Sequence, residues 1–203
     1  MMGKNINKTW TAESIRLYMQ DFASTMEEND RKIITDVIDS IPITMDGRLK
    51  NSMAYFTGRY KRTGEFIEAV RFKFSKRINS YDDDTVKSVI AHELMHLLSD
   101  KHYGRNTAHD KEWQDYCHKY GVNDSQFFTP NLELEKDYHR YLIYCNECGK
   151  LIEVKNRLSK TSIIELLLYS KHRVDGGKLK IYDNKEQKYL RIESIMVNDS
   201  ENY

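Results

Sequence analysis

"TVKSVIAHELMHLLSDKHYGRNTAHDKEW", Thr85 to Trp113, holds four of the chain's seven histidines, and its reading decides the fold. His92, Glu93 and His96 form the pattern H-E-x-x-H. On a helix, residues i and i+4 share one face, so both imidazoles can reach one ion. Glu93 lies a fraction of a turn away, close enough to hold a water and take its proton. A helix is the expected state here. Asp82, Asp83, Asp84 and Thr85 suit a helix N-terminus, and Val86, Val89, Ile90, Leu94, Leu97 and Leu98 make the segment largely apolar.

A zinc site built mainly from imidazole needs a third donor. His102 stands ten residues after His92, a spacing that works only if the chain turns sharply soon after His96. A glycine would make that turn cheap, but Ser99 occupies the place. His109 follows the Gly104 break and leads into a second expected helix, "DKEWQDYCHKY", closed by Gly121. His109 is therefore favoured over His102 as third ligand. His102 is expected in a solvent-facing loop, and His118 as a cation at a helix C-terminus.

Outward from this stretch the rhythm changes twice. "TAESIRLYMQDFASTM" and "NDRKIITDVIDSI" carry apolar residues at helical spacing, the first opening on Thr11 with Ser14 three residues on, the second halted by Pro42. "MAYFTGRY" and "EFIEAVRFKFS" are aromatic and β-branched, with "KRTG" as the turn of a hairpin. After Pro130, "YLIYC", "KLIEVK" and "KLKIYD" read as short strands. The fold class is α+β: a zincin-like unit of helices and a small antiparallel sheet over 1–135, a small β subdomain over 136–191, and a tail over 192–203.

Composition narrows the class. Hydrophobic residues make up 39% of the 203, enough for a real core and against wholesale disorder. No signal sequence is visible, and the densest apolar run, Ile163–Tyr169, is far short of the ~18 residues a bilayer span needs. Three cysteines, Cys117, Cys145 and Cys148, give an odd count with one close pair, which favours a metal knuckle in a reducing compartment, the cytoplasm, over a disulfide framework. Cys117 is expected in the core. The net charge of +1 conceals blocks: residues 46–77 carry nine basic and three acidic side chains (+6), 78–135 five and eleven (−6), and 136–191 thirteen and seven (+6).

Taken in order, "VIAHELMH" behind two β-rich stretches, "AHDKEWQDYCHKYG" and "YLIYCNECGKLIEVKNR" resemble the SprT-like family of zinc metallopeptidase domains over Tyr55 to Leu179. The second segment is similar to the family's H-G-x-x-[FW] motif, with Asp110 in place of the glycine. The third resembles the first knuckle of its zinc ribbon. The resemblance implies His92, His96 and His109 as ligands of a catalytic zinc and Glu93 as general base. In the ribbon, His172 and Asp175 stand where a second Cys-x-x-Cys is expected. Cys145, Cys148, His172 and Asp175 are thus the candidate donors of a second, structural zinc, against a ribbon that has lost its metal. Eukaryotic members act on proteins crosslinked to DNA. Together with the basic blocks and their aromatics, this makes a protein substrate and nucleic acid, single-stranded DNA above all, the expected partners. The competing reading is a non-catalytic zinc-containing nucleic-acid-binding or adaptor protein.

Overall fold

Thr11 and Ser14 open the first helix by a reciprocal cap: the Ser14 N–H donates to Thr11 Oγ1 at 3.1 Å and the Thr11 N–H to Ser14 Oγ at 2.8 Å. The computed structural model describes residues 9–50, 52–125 and 131–196. It divides into two compact units, Met1–Phe128 and Thr129–Tyr203. In the first, α1 (Ala12–Ser24) buries Ile15, Met19 and Ala23, and α2 (Glu28–Ile38) buries Ile34 and Ile38. The chain leaves α2 before Pro42, whose ring disfavours helical backbone in the residue preceding it.

Three strands follow, β1 (Ile43–Asp46), β2 (Ala54–Tyr60) and β3 (Phe66–Ser75), in the order β1-β3-β2. β2 and β3 form the expected antiparallel hairpin, with Phe56 opposite Phe72 and Ala54 opposite Phe74. The sheet is nevertheless mixed, not antiparallel throughout, because β1 pairs in parallel with β3, Ile43 opposite Phe72. Its four residues directly behind Pro42 are too few to show an alternation, so nothing local in the sequence marks this strand. Phe72 and Phe74 are fully buried against the helices, in one core with Ile34, Ile38, Ile90, Leu94 and Leu98.

Helix α3 (Asp83–Tyr103) is capped by Asp82, which accepts from Thr85 N at 2.9 Å. It runs straight through Ser99 and stops only at Gly104, whose φ of 67° is the left-handed geometry that ends a helix cheaply. Asp110, standing where the resemblance expects glycine, caps α4 (Lys111–Lys119) by accepting from Trp113 N at 3.2 Å. Asp30 on α2, 5% exposed, accepts from Lys119 Nζ at 2.8 Å and Tyr120 Oη at 2.5 Å, which fixes the far end of α4.

The second unit holds α5 (Leu132–Glu135), β4 (Tyr141–Cys145), β5 (Leu151–Lys155), α6 (Lys160–Leu168), β6 (Leu179–Asp183), β7 (Lys188–Tyr189) and α7 (Ile192–Met196). Its antiparallel sheet has the order β5-β4-β6-β7. The unit is not purely β: "IIELLLY" forms most of α6, whose Ile163 joins Tyr141, Ile143, Leu179 and Ile181 in a small core. The tail beyond residue 196 lies outside the described residues. No helix among the described residues is long and apolar enough to cross a membrane.

The hairpin phenylalanines carry the first core, so Phe72→Ala should cost about 3–5 kcal/mol. Equilibrium urea unfolding of the full chain measures it. A loss under about 1 kcal/mol would mean that the sheet does not anchor α3.

Candidate metal centres

The last two turns of α3 before Ser99 and the loop after Gly104 bring three imidazoles together. His92 Nε2 lies 3.2 Å from His109 Nε2 and 3.3 Å from His96 Nε2. Zinc–nitrogen bonds of about 2.0–2.1 Å in a tetrahedron put neighbouring donors about 3.3 Å apart, so the spacing fits one such ion. Their second ring faces are supported as well. The His92 ring bonds the Asn123 backbone, and the His96 ring the Ala108 backbone. Both bonds raise the basicity of the ring, so the partner atoms are carbonyls and the bonded nitrogens are donors.

Trp113, fully buried, backs all three rings, with centroids 4.8 Å from His92, 5.2 Å from His96 and 4.7 Å from His109. Burial, followed by the proximity of His109, brings His92 down to about 4. Burial, followed by His92 and His109, brings His96 to about 3, and burial also lowers His109. All three are therefore neutral near pH 7, with lone pairs available to a cation.

Glu93, 6% exposed, points away from this cluster far enough to accept from the Phe56 N–H of β2 at 2.6 Å through Oε2. Burial raises its carboxyl to about 7, partly offset by that bond. The Phe56 contact was invisible in the sequence because a backbone amide has no signature there. His102 stays outside the cluster. It is exposed on the last turn of α3, not in a loop, because the helix continues to Tyr103, and its ring packs on Tyr103 and Tyr116. His118, in the last turn of α4, lies 3.0 Å from Asp124 Oδ2. Cys117 is buried in the core.

A second cluster lies in the C-terminal unit, and two like turns build it. Gly149 N donates to Cys145 O at 3.0 Å and Gly176 N to His172 O at 2.8 Å, with φ of 72° and 69° at the two glycines. His172 and Asp175 thus occupy, in the second turn, the places of Cys145 and Cys148 in the first. Cys148 Sγ is 3.6 Å from His172 Nδ1, and Cys145 Sγ 3.4 Å from Asp175 Oδ1. About 3.6 Å is expected between a thiolate and a nitrogen or oxygen donor on one zinc. His172 Nδ1 and Asp175 Oδ1, at 3.0 Å, sit at hydrogen-bond distance instead. Hydrogen bonds from Cys148 and the Gly177 N–H hold the Asp175 carboxyl well below the usual range. A Cβ at Gly177 would come within 2.6 Å of Cys145 Sγ, so only glycine admits this approach. The ligand atoms of each cluster lie within 4.8 Å of one another: three histidines in the first, four mixed donors in the second.

Four of the nine cations in the basic stretch 46–77 meet carboxylates of the same stretch. Lys73 and Arg48 meet Asp46, Lys61 meets Glu65, and Arg59 meets Glu68. Arg77 is buried, as are Phe66, Phe72 and Phe74, so few of its aromatics are open to a base.

No curated protein matches the chain significantly. The model of the SprT-like family matches residues 23–136, more than half of the 203, taking in both strands of the hairpin, α3 and α4 and stopping short of the cysteine cluster. Members of this family are generally metallopeptidase-like, and the H-E-x-x-H helix with its following histidine lies inside the match. The chain belongs to the SprT-like family.

Proposed function

We propose that this protein is a zinc-dependent endopeptidase whose active site is the three-histidine cluster, with Glu93 as general base. The observation that carries this reading is the contrast between the two clusters, one with three protein donors and one with four. Catalytic zinc keeps a position open beside three protein ligands, whereas structural zinc is closed by four. His92, His96 and His109 would hold the first ion, and Cys145, Cys148, His172 and Asp175 the second. Zinc at the first site would supply a Lewis acid that polarises a peptide carbonyl and acidifies water.

The chain's own contribution is proton transfer. Glu93 accepts the proton of the attacking water and returns it to the leaving amine. The Phe56 N–H fixes one carboxylate oxygen and leaves the other to carry the proton. A purely structural site has no use for such a buried carboxylate beside its ligands.

Nucleic acid fits the C-terminal unit better than the hairpin. Thirteen basic against seven acidic side chains fall in 136–191. Tyr169 is 77% and Tyr189 49% exposed, and Lys180 Nζ lies 5.2 Å from the Tyr189 ring. Open rings among cations suit unpaired bases, so single-stranded DNA is the proposed partner. Proteins bound to the same strand are then the proposed substrates, because sharing it raises their effective concentration. The odd cysteine count with one close pair supports a reducing compartment, the cytoplasm, as the proposed location.

Glu93→Gln should lower peptide hydrolysis about 10²–10⁴-fold while metal content stays unchanged. Equal turnover in that variant rules out the peptidase reading, and bound zinc without hydrolysis in the wild type leaves the non-catalytic adaptor.

Metal analysis of the intact chain should find two zinc ions per molecule. His109→Ala and Cys145→Ser should each remove one, and His102→Ala neither. Loss of zinc on His102→Ala would show that the wrong third ligand had been chosen.

Binding of a single-stranded oligonucleotide should fall steeply between low and moderate salt and exceed that of duplex. Tyr169→Ala with Tyr189→Ala should weaken it about tenfold or more. Salt-independent binding, or none, removes nucleic acid from the reading.

A further inference from the structure

Directly behind the three histidines lies a buried polar network that the proposed chemistry does not use. Asp100, one turn beyond His96 on α3, is 2% exposed, and Thr107 in the following loop is 1% exposed. Asp100 Oδ1 accepts from the Thr107 N–H and from Thr107 Oγ1, both at 2.8 Å. Asp100 Oδ2 accepts a short hydrogen bond from the Tyr60 hydroxyl on β2. Ser99 Oγ, also buried, lies 2.7 Å from Thr107 Oγ1 and 2.7 Å from the Met95 carbonyl oxygen.

What this network holds is the stretch that completes the metal site. Ala108, next to Thr107, has a φ of 47°, a left-handed conformation that costs a residue with a Cβ and persists only where its surroundings impose it. Its N–H donates to Asn106 Oδ1 at 2.8 Å, and its backbone bonds the His96 ring. His109 follows at once, and the Asp110 N–H returns to Thr107 O at 2.9 Å before α4 begins. At its other end, Tyr60 stands four residues along β2 from Phe56, whose N–H holds Glu93.

Burying a carboxylate is expensive, and three hydrogen bonds from neutral groups offset the cost without a cation among the described residues. A network kept on those terms, and placed there, does more than fill space. We propose that Asp100 is a positioning residue for the metal centre: through Thr107 it fixes the 105–109 loop so that the His109 ring meets His92 and the Ala108 carbonyl meets His96. The inference rests on the reading that these histidines hold a metal. It adds that affinity for the ion is set by residues that never touch it, as partners of metal ligands commonly do.

The test uses the full chain loaded with Co(II) in place of zinc, with affinity taken from competition against a chelator. Quenching of Trp113, whose ring backs all three imidazoles, reads the histidine site, while sulfur-to-cobalt absorption reads the cysteine cluster separately. Thr107→Val keeps the shape and the N–H bond and removes the hydroxyl. It should weaken Co(II) binding at the histidine site about tenfold and alter the visible cobalt spectrum, leaving the cysteine cluster unchanged. Thr107→Ser should restore both, and Asp100→Asn should cost about 100-fold. Melting of the metal-free variants separates this from a structural role, which would lower stability while the folded protein kept its affinity and spectrum. If Thr107→Val does not fold, Tyr60→Phe decides, with an expected loss of at least about threefold. A folded Thr107→Val or Tyr60→Phe with wild-type affinity and spectrum overturns the inference and leaves the peptidase reading standing. Absence of Trp113 quenching in the wild type overturns both.

Discussion

Two unprotonated imidazole nitrogens cannot face each other at 3.2–3.3 Å without a proton or a cation between them, and His92 Nε2 faces two neighbours at that distance. Much of the first unit serves to hold that arrangement. Helix α3 must bury its opposite side to keep its place, and Ile90, Leu94, Leu97 and Leu98 do so against the hairpin phenylalanines. The loop after Gly104 must double back by a short path, which takes a left-handed residue at Gly104 and a strained one at Ala108. Helix α4 must then start at once, and Asp110 makes it start. The departure from the family's glycine at that position costs nothing visible, because a capping carboxylate serves the same turn.

Burial does two things to these groups, of opposite sign. It strips the histidines of affinity for protons, which leaves their lone pairs free for a metal. It also pushes Glu93 the other way, toward holding a proton near neutrality, with only the Phe56 N–H resisting. Desolvation in one small volume thus separates donors from acid–base group, without a charged partner for Glu93 in the hydrogen bonds described.

The sequence was legible where a short-range rule applied. Periodicity gave α1, α2 and α3, the hairpin followed from aromatic alternation about "KRTG", and a missing glycine at Ser99 pointed past His102 to His109, which the structure does place beside His92. Legibility failed where pairing is long-range. β1 is four residues of parallel strand behind a proline, and nothing local distinguishes it from a loop. The Tyr60–Asp100–Thr107 network joins residues up to 40 positions apart by hydrogen bonds with no repeating pattern. The charge block 46–77 shows the same limit: a count of cations does not say which ones already face a carboxylate, as Arg59 faces Glu68 across the hairpin.

The two clusters also differ in how the chain closes on them. The cysteine cluster arises from two similar turns, each needing only a few residues and one left-handed glycine, so its geometry is local, with an imidazole and a carboxylate on the second turn where the first carries two thiols. The histidine cluster draws on α3, a loop and the start of α4, and its supports reach β2 and Asn123. A site of the first kind is stabilised by its ion, because folding and binding are one event. A site of the second kind is already paid for by the core, and can leave a coordination position unfilled without losing its shape. On the proposed reading, that independence from the metal for folding is what the reacting centre requires, and it gives the buried core of this unit, more than the motif itself, the task of holding the H-E-x-x-H helix in place.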